Sequence, residues 1–430
     1  MSISSLHEAA RETPVIEKVD VCVCGGGPAG VSAAVAAARS GAVTRLIDVN
    51  GCLGGIWTAG LLCWFQGHKN KNGFINELRE ELISRGVAWD EAKSGMAADA
   101  DEMKLLLERI SLAAGVRLLY QTRVVDAHVE NGRITHAVFE NKSGRQAISA
   151  NVFIDATGDG DLAVRAGCSF ELGIGPENLM QPMSLIGIAC GPESSEIADC
   201  LRGFAEPLGK NPRHVLKSEM ERGGMTPSYA GPFMTMIREG LYLLMINHQY
   251  GVSGLDAQEL TDATVEARAE IHRLVAALRS LGGRWRDFRL VVTADRIGVR
   301  EGRRIHGLET IDREYLRIGK TVPDPVCLSY YSIDVHHLGA HVEFEKFEVR
   351  PYQIPYRALV AKDVDGLLMA GRCISGDFIA HSSYRVTGDA STMGEAAGFA
   401  AALCAEEKIL PRQLEYRKLA DLLPEKYAHA

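Results

Sequence analysis

Asp334 and His336 stand two apart in Ser-Ile-Asp-Val-His, a spacing that on an extended strand turns both side chains to one face. A carboxylate beside an imidazole can fix the ring's orientation, so the pair is a candidate general base. The structural alternative is a pair of groups satisfied within a domain interface. His337, His341 and His381 are the other histidines near this region, and His381 joins the catalytic candidates. Upstream lies a cationic group of Arg296, Arg300, Arg303 and Arg304. On a helix, Arg300 and Arg304 would lie one turn apart and could clamp a carboxylate, although a salt-bridged surface uses the same spacing. Arg385, beside Tyr384, is the more attractive anion binder. Such groups move protons and hold charge, and the hydride acceptor of an oxidation has to come from a cofactor.

The segment Val19 to Gly30, VDVCVCGGGPAG, asks to be a buried strand that turns sharply onto a helix. Gly25, Gly27 and Gly30 form G-x-G-x-x-G, and VSAAVAAARSG supplies a small-residue helix. The glycines suit a tight turn, close approach of backbone to a pyrophosphate, and close packing of helix on strand. The free N–H groups and positive dipole end of that helix favour a diphosphate. A second strand, Val43 to Ile47, ends in Asp48, about 20 residues beyond the last glycine, where an acid meets an adenosine ribose.

Three later features suit FAD, which is longer than NAD and must be held along its ribityl chain and ring. Gly54 and Gly55 let backbone pass close to a cofactor. FIDATGDGD, from Phe153 to Asp161, reads as a strand ending in small residues. LLMAGRCIS, from Leu367 to Ser375, is a second buried strand with a glycine exit. A helix expected at Thr392 to Ala402 follows it, and its N-terminus would favour negative charge on the reduced flavin. Trp57, Cys63 and Trp64 are candidates for the flavin face or, more ordinarily, for core packing.

The elements that must position these groups follow from the rest of the chain. At 430 residues it is too long for one ordinary core, so two domains are expected. A hydrophobic fraction of 46% and a charged fraction of 24% are those of a globular protein. A formal net charge of −8 argues against nucleic acid or an anionic membrane as partner. No apolar run is long enough to span a membrane, and the acidic N-terminal segment is neither a signal nor a transit peptide. Ten cysteines without a C-x-x-C pair read as reduced thiols in a cytoplasm, with no metal site. Helical periodicity marks Gly73 to Gly86, Asp101 to Ala114 and Asp256 to Leu281. Val116 to Asn151 reads as a β-meander rather than another crossover, with turns at Asn131-Gly132 and Ser143-Gly144. Strand-like runs return at Leu290 to Val292, Val342 to Val349 and Gly366 to Ala370.

With GGGPAG, LGG, FIDATGDGDLA, LDAQELT, IGVREGRRI, SIDVHH, IPYRALV, AGRCIS and GEAAG in this order, the chain resembles the FAD-dependent oxidoreductases among two-dinucleotide-fold flavoproteins. It is distantly similar to the flavoprotein subunits of fumarate reductase and succinate dehydrogenase. The resemblance implies an α/β fold: a Rossmann-like FAD-binding domain with a β-meander, made of residues 14–172 and 350–412, and an inserted α+β substrate or cap domain at 173–349. Residues 413–430 form a C-terminal tail. It places Gly25, Gly27, Pro28, Ala29 and Gly30 on the pyrophosphate, Asp48 on the ribose, and Gly54 and Gly55 beside the cofactor. Val124 would touch adenine through its backbone, and Ala156, Thr157 and Gly158 would line the adenosine side. Gly371, Arg372 and Gly394 would approach the ribityl chain and flavin. Two departures stand out: Asp48 replaces the Glu of many relatives, and Arg372 replaces an Asp common after the Ala-Gly of the second strand.

The expected reaction is hydride transfer between a small polar organic substrate and flavin N5, with an unnamed electron acceptor; a homo-oligomer is compatible with this. An NAD(P)H-driven flavin monooxygenase or reductase is the alternative, although no second G-x-G-x-x-G follows a strand. A non-enzymatic, FAD-dependent nucleic-acid-binding module is a third reading, opposed by the acidic balance.

Overall fold

The computed structural model describes residues 6, 9–91, 95–204, 209–336, 338 and 347–424. Val15–Cys24 forms the first strand, and its last four residues are buried. Such an unbroken apolar run belongs to a parallel strand covered on both faces. Thr44–Ile47 lies parallel on one side, with Arg117–Leu119 beyond it. Gly144–Asp155 lies parallel on the other side, pairing Val21 with Val152 and Cys24 with Asp155. This twelve-residue strand also takes Leu367–Met369 in parallel at its C-terminal end. Its N-terminal half carries the antiparallel meander of Arg133–Asn141 and Arg123–Glu130. Asn131 and Gly132 turn the outer hairpin with φ of 50° and 77°, the double left-handed geometry that suits Asn-Gly.

The meander is shorter than the sequence pattern indicates. Arg117–Leu119 reaches its place through the helix Ala100–Ala113, so it closes a crossover. Three residues are too few to display a strand's period of two, and the stretch therefore merges with the hairpins that follow it.

Helix Pro28–Arg39 packs against the long helix Thr387–Glu407. Alanines and glycines on both let the backbones approach closely. A Cβ at Gly394 would stand 2.0 Å from the Ala29 carbonyl oxygen, and one at Gly398 would stand 2.2 Å from that of Ala33. The helix begins at Thr387, five residues before the expected start; Val386 in front of it offers no capping side chain, so the sequence does not mark the position.

The second unit is a four-stranded antiparallel sheet in the order Phe233–Arg238, Leu241–Met245, Gly187–Cys190, Arg289–Thr293. Helix Ala257–Ser280 covers it with Ala263, Ala267, Ile271, Leu274, Val275 and Leu278; periodicity puts Leu260 on this face in place of Ala263, and Leu260 is half-buried. Asp256 caps this helix through the N–H groups of Gln258 and Glu259. Two apolar cores result, one per unit. The division departs from residues 173–349 at both ends. Leu61, Cys63, Trp64 and Ala97 join the second core. Ile305, Ile311, Leu316 and Val326 join the first, where the hairpin Pro325–Ser329 with Tyr352–Pro355 packs on the long helix. Trp57 packs in the first core, stacked on Phe65 at 4.7 Å. The run Val342 to Val349 lies largely outside the described residues, and its described part, Phe347 to Val349, is not strand. Among the described residues no helix is long and apolar enough to cross a membrane.

Candidate cofactor cradle and proton-transfer site

At the end of the first strand, Gly25 turns with φ of 101°, and a Cβ there would meet the Ala156 carbonyl oxygen at 2.3 Å. Gly30 packs onto the turn so closely that a Cβ would lie 1.7 Å from the Gly25 oxygen. Gly27 is different, since a Cβ on it would meet nothing within 4 Å. It precedes a helix with Pro28 at its first position, no side-chain cap and no acid in its first turn. Open space therefore faces uncapped N–H groups, which fits a diphosphate. Gly54 donates its N–H to Gly26 at 2.7 Å, and Gly55, with φ of 53°, lies against the Cα of Gly27. Both glycines thus run over the turn.

Asp48 is buried, and its carboxylate ties the cradle together. One oxygen accepts from the Gly26 N–H. The other accepts from the Asn50 N–H at 2.6 Å and the Asn50 side-chain amide at 2.8 Å. Burial raises its pKa, and these hydrogen bonds oppose the rise. A carboxylate has about four acceptor sites, so a ribose hydroxyl would find one left. Thr122 donates its N–H to the Asp48 carbonyl at 2.9 Å, which brings the backbone before Val124 to the same corner.

On the other side, fully buried Asp155 accepts from the Thr157 N–H and hydroxyl and from the Ala163 N–H, at 3.0, 2.7 and 2.8 Å. This fixes the turn that carries Ala156, Thr157 and Gly158. Arg372 reaches that turn and pairs with Asp159 at 3.0 Å. Its other terminal nitrogen is buried and has no hydrogen-bond partner among the described residues. An acceptor on a bound cofactor would satisfy it, so the residues present fit an FAD-sized ligand. Gly371 follows in the same exit loop, with φ of 88° and the Ala29 side chain as neighbour. Gly394 does not join them, being consumed in the helix crossing. At the N-terminus of the long helix, the Gly388 N–H is already bonded to the Gln66 carbonyl at 2.8 Å.

A second cluster gathers around Asp334 and His336. The segment is a loop, not the expected strand, yet the two side chains meet, with His336 Nε2 3.3 Å from Asp334 Oδ2. Arg385 holds the loop by donating to the Asp334 carbonyl at 2.6 Å and lies 3.4 Å from its carboxylate. Gln181 accepts from the His336 N–H at 3.2 Å and lies 3.3 Å from Arg385. Arg300 is anchored on the Pro182 carbonyl at 2.7 Å. Burial lowers its pKa to about 10, with Arg385 adding to the fall and Asp334 opposing it. Burial also lowers His336 to about 4, with Arg300 assisting and Asp334 opposing, so the ring is neutral at pH 7. For Asp334, burial favours the neutral acid, but His336 and Arg385 outweigh it and hold the carboxyl well below its usual range.

Two expected arrangements fail. Arg300 and Arg304 share no helix, and Arg304 is spent on Glu301 at 2.7 Å and on the carbonyls of Gly376 and Gly173. No clamp forms from that pair. His381 is fully buried, edge-on to Tyr384 at 5.6 Å, and neither ring nitrogen has a hydrogen-bond partner among the described residues. Burial and three neighbouring arginines keep it neutral, and its side chain is enclosed in protein. His337 and His341 lie outside the described residues. The structure adds two residues that no motif marks. The Tyr229 ring stacks on His248 at 3.8 Å, and His248 meets His336 edge-on at 4.9 Å. They come from separate segments of the cap, and only the fold joins them to Asp334.

Residues 20–423 match the family model described as FAD dependent oxidoreductase. Among curated proteins none matches the sequence. Among solved structures, a geranylgeranyl bacteriochlorophyll reductase-like protein from Thermoplasma acidophilum superposes with a TM-score of 0.50 at 13% identity, covering 94% of this chain and 82% of that one. The flavin-dependent brominase Bmp2 gives 0.51 at 12% identity, over 94% and 82%. At these identities the likeness is one of fold.

Proposed function

The chain belongs to the FAD dependent oxidoreductase family, and from that premise we propose that it is a dehydrogenase or oxidase of a small polar organic substrate. When bound, FAD supplies the hydride acceptor of such a reaction. The observation that carries the reading is the contact of His336 with Asp334 in a cluster that includes Arg300 and Arg385. With Nε2 turned to Asp334, a neutral ring donates its proton there and leaves the Nδ1 lone pair to take one from the substrate. The ionised Asp334 then faces the imidazolium it helps to stabilise. The two arginines favour a substrate oxygen that gains negative charge as its proton leaves.

A second reading, an NAD(P)H-driven monooxygenase or reductase, draws on the fold shared with a brominase and a reductase-like protein. Anaerobic mixing separates the two. Under the first reading, an organic substrate bleaches the flavin absorbance and NADPH alone leaves it intact. Rapid bleaching by NADPH without a substrate would favour the second and remove the first.

A further inference from the structure

Of the cationic group Arg296, Arg300, Arg303 and Arg304, only the first is left without a task. Arg300 stands in the Asp334 cluster, anchored on Pro182. Arg303 donates to the Asp159 carbonyl at 3.0 Å and pairs with Asp161 at 3.1 Å, and Arg304 is spent on Glu301. Arg296 is exposed and makes neither a hydrogen bond nor an ion pair among the described residues.

The segment that carries Arg296 sets its position. Ala294 and Ile297 are buried in the core of the second unit. The Ala294 N–H donates to the Ile186 carbonyl at 2.9 Å, and Gly298 exchanges backbone hydrogen bonds with Ser184 at 2.8 and 3.2 Å. Asp295 and Arg296 therefore form the tip of a loop held at both ends. This loop leans on the turn of the first unit. A Cβ at Gly298 would lie 3.2 Å from Ile56 Cδ1, and Ile56 directly follows Gly55, which lies against the Cα of Gly27. Burial raises the Asp48 pKa, and Arg296 joins the hydrogen bonds from Gly26 and Asn50 in opposing the rise. The guanidinium is thus within electrostatic reach of the carboxylate that accepts from Gly26. The contact at Ile56 and the reach to Asp48 bring the same loop to the corner where Gly27 faces open space.

The cradle is short of positive charge. Pro28, Ala29, Gly30 and Val31 open its helix without a charged side chain. Asp48 and Asp159 bring carboxylates, and Arg372 is paired with Asp159. A diphosphate adds negative charge, and a guanidinium fork matches phosphate oxygens.

We propose that Arg296 is a cofactor-binding residue: reaching over from the second unit, it holds the FAD diphosphate and completes the cradle begun by the N-terminus of Pro28–Arg39. The cofactor then bridges the two units, bound by a helix of one and an arginine of the other. The inference concerns how FAD is held, and it stands whichever substrate is oxidised.

The test follows the rise of flavin fluorescence as FAD leaves the diluted holoprotein, at about 0.05 M and about 0.5 M NaCl. At low salt Arg296→Gln should release FAD about 10-fold faster than the native protein, the worth of one charge-assisted hydrogen bond. Arg296→Glu should be faster still, and Arg296→Lys should stay closer to the native rate than the Gln variant does. The excess should shrink at high salt, where screening already weakens the native contact. Should Arg296→Glu purify without flavin, the Gln and Lys variants decide, since neither removes a hydrogen bond that the fold uses. Native release rates in both the Gln and Glu variants would overturn the assignment. So would an acceleration of equal size at both salt concentrations, the mark of a disturbed loop rather than a lost charge. Release needs no substrate, so this result and the fate of the oxidase reading are separate.

Discussion

At the scale of single residues, the decisive pair is a neutral imidazole in contact with an ionised carboxylate. If His336 takes the substrate proton, His336→Asn should retain FAD and slow substrate-driven flavin reduction by roughly 10²–10⁴-fold, the usual worth of a positioned base. Asp334→Asn should cost less, because that carboxylate orients the ring and steadies its charge. Anaerobic stopped flow, expressed per bound flavin, measures both, and a His336 variant with the full rate removes it from the reaction. The spacing of Asp334 and His336 was legible in the sequence although the strand assumed for it is absent; a loop pinned by Arg385 and Gln181 brings the same atoms together. Arg300 and Arg304 were misread for the complementary reason. Their spacing means one face only on a helix, and nothing in IGVREGRRI excludes the extended path that sends Arg304 to Glu301.

At the scale of elements, the crossing of Pro28–Arg39 with Thr387–Glu407 joins the two ends of the chain. Gly394→Val should separate the helices, because a Cβ would press on the Ala29 carbonyl, which is backbone and cannot rotate away. We expect a loss of roughly 1–3 kcal/mol or more, seen as a lower thermal midpoint. FAD affinity should fall with it, since Ala29 belongs to the cradle; an unchanged midpoint would show that the crossing has slack. The strand–turn–helix at Gly25 to Gly30 was plain in the sequence because each glycine there has a separate steric duty. The long helix was legible as a helix but not in its start, and so Gly394 was assigned to the flavin when it is a packing residue. Tyr229 and His248 left no signal at all, since stacking between distant segments has no local pattern.

At the scale of the whole molecule, burial governs the response to acid. His248, His336 and His381 are buried, and their pKa values fall to about 2, to about 4 and well below normal. In the unfolded chain each binds a proton near pH 6.5, while in the folded chain it does not until lower pH. Unfolding therefore takes up protons in that window, and stability falls as pH falls, by up to roughly 1.4 kcal/mol per pH unit for each histidine. The urea midpoint should be lower at pH 5.5 than at pH 7.5, a range that leaves most carboxylates ionised; an equal or higher midpoint would refute the assignment. The sheet carries a further consequence, for the order in which the protein is made. Gly144–Asp155 emerges from the ribosome long before Leu367–Met369, the strand that completes its C-terminal edge. At synthesis rates of about 5–20 residues per second, the interval is roughly 10–40 s. The intervening unit can close first, whereas the nascent cradle must wait, with an open strand edge, for the strand Leu367–Met369 and the helix Thr387–Glu407. Capture of the flavin thus follows the closing of the intervening unit, and a chaperone that shields that edge would raise the yield of active protein.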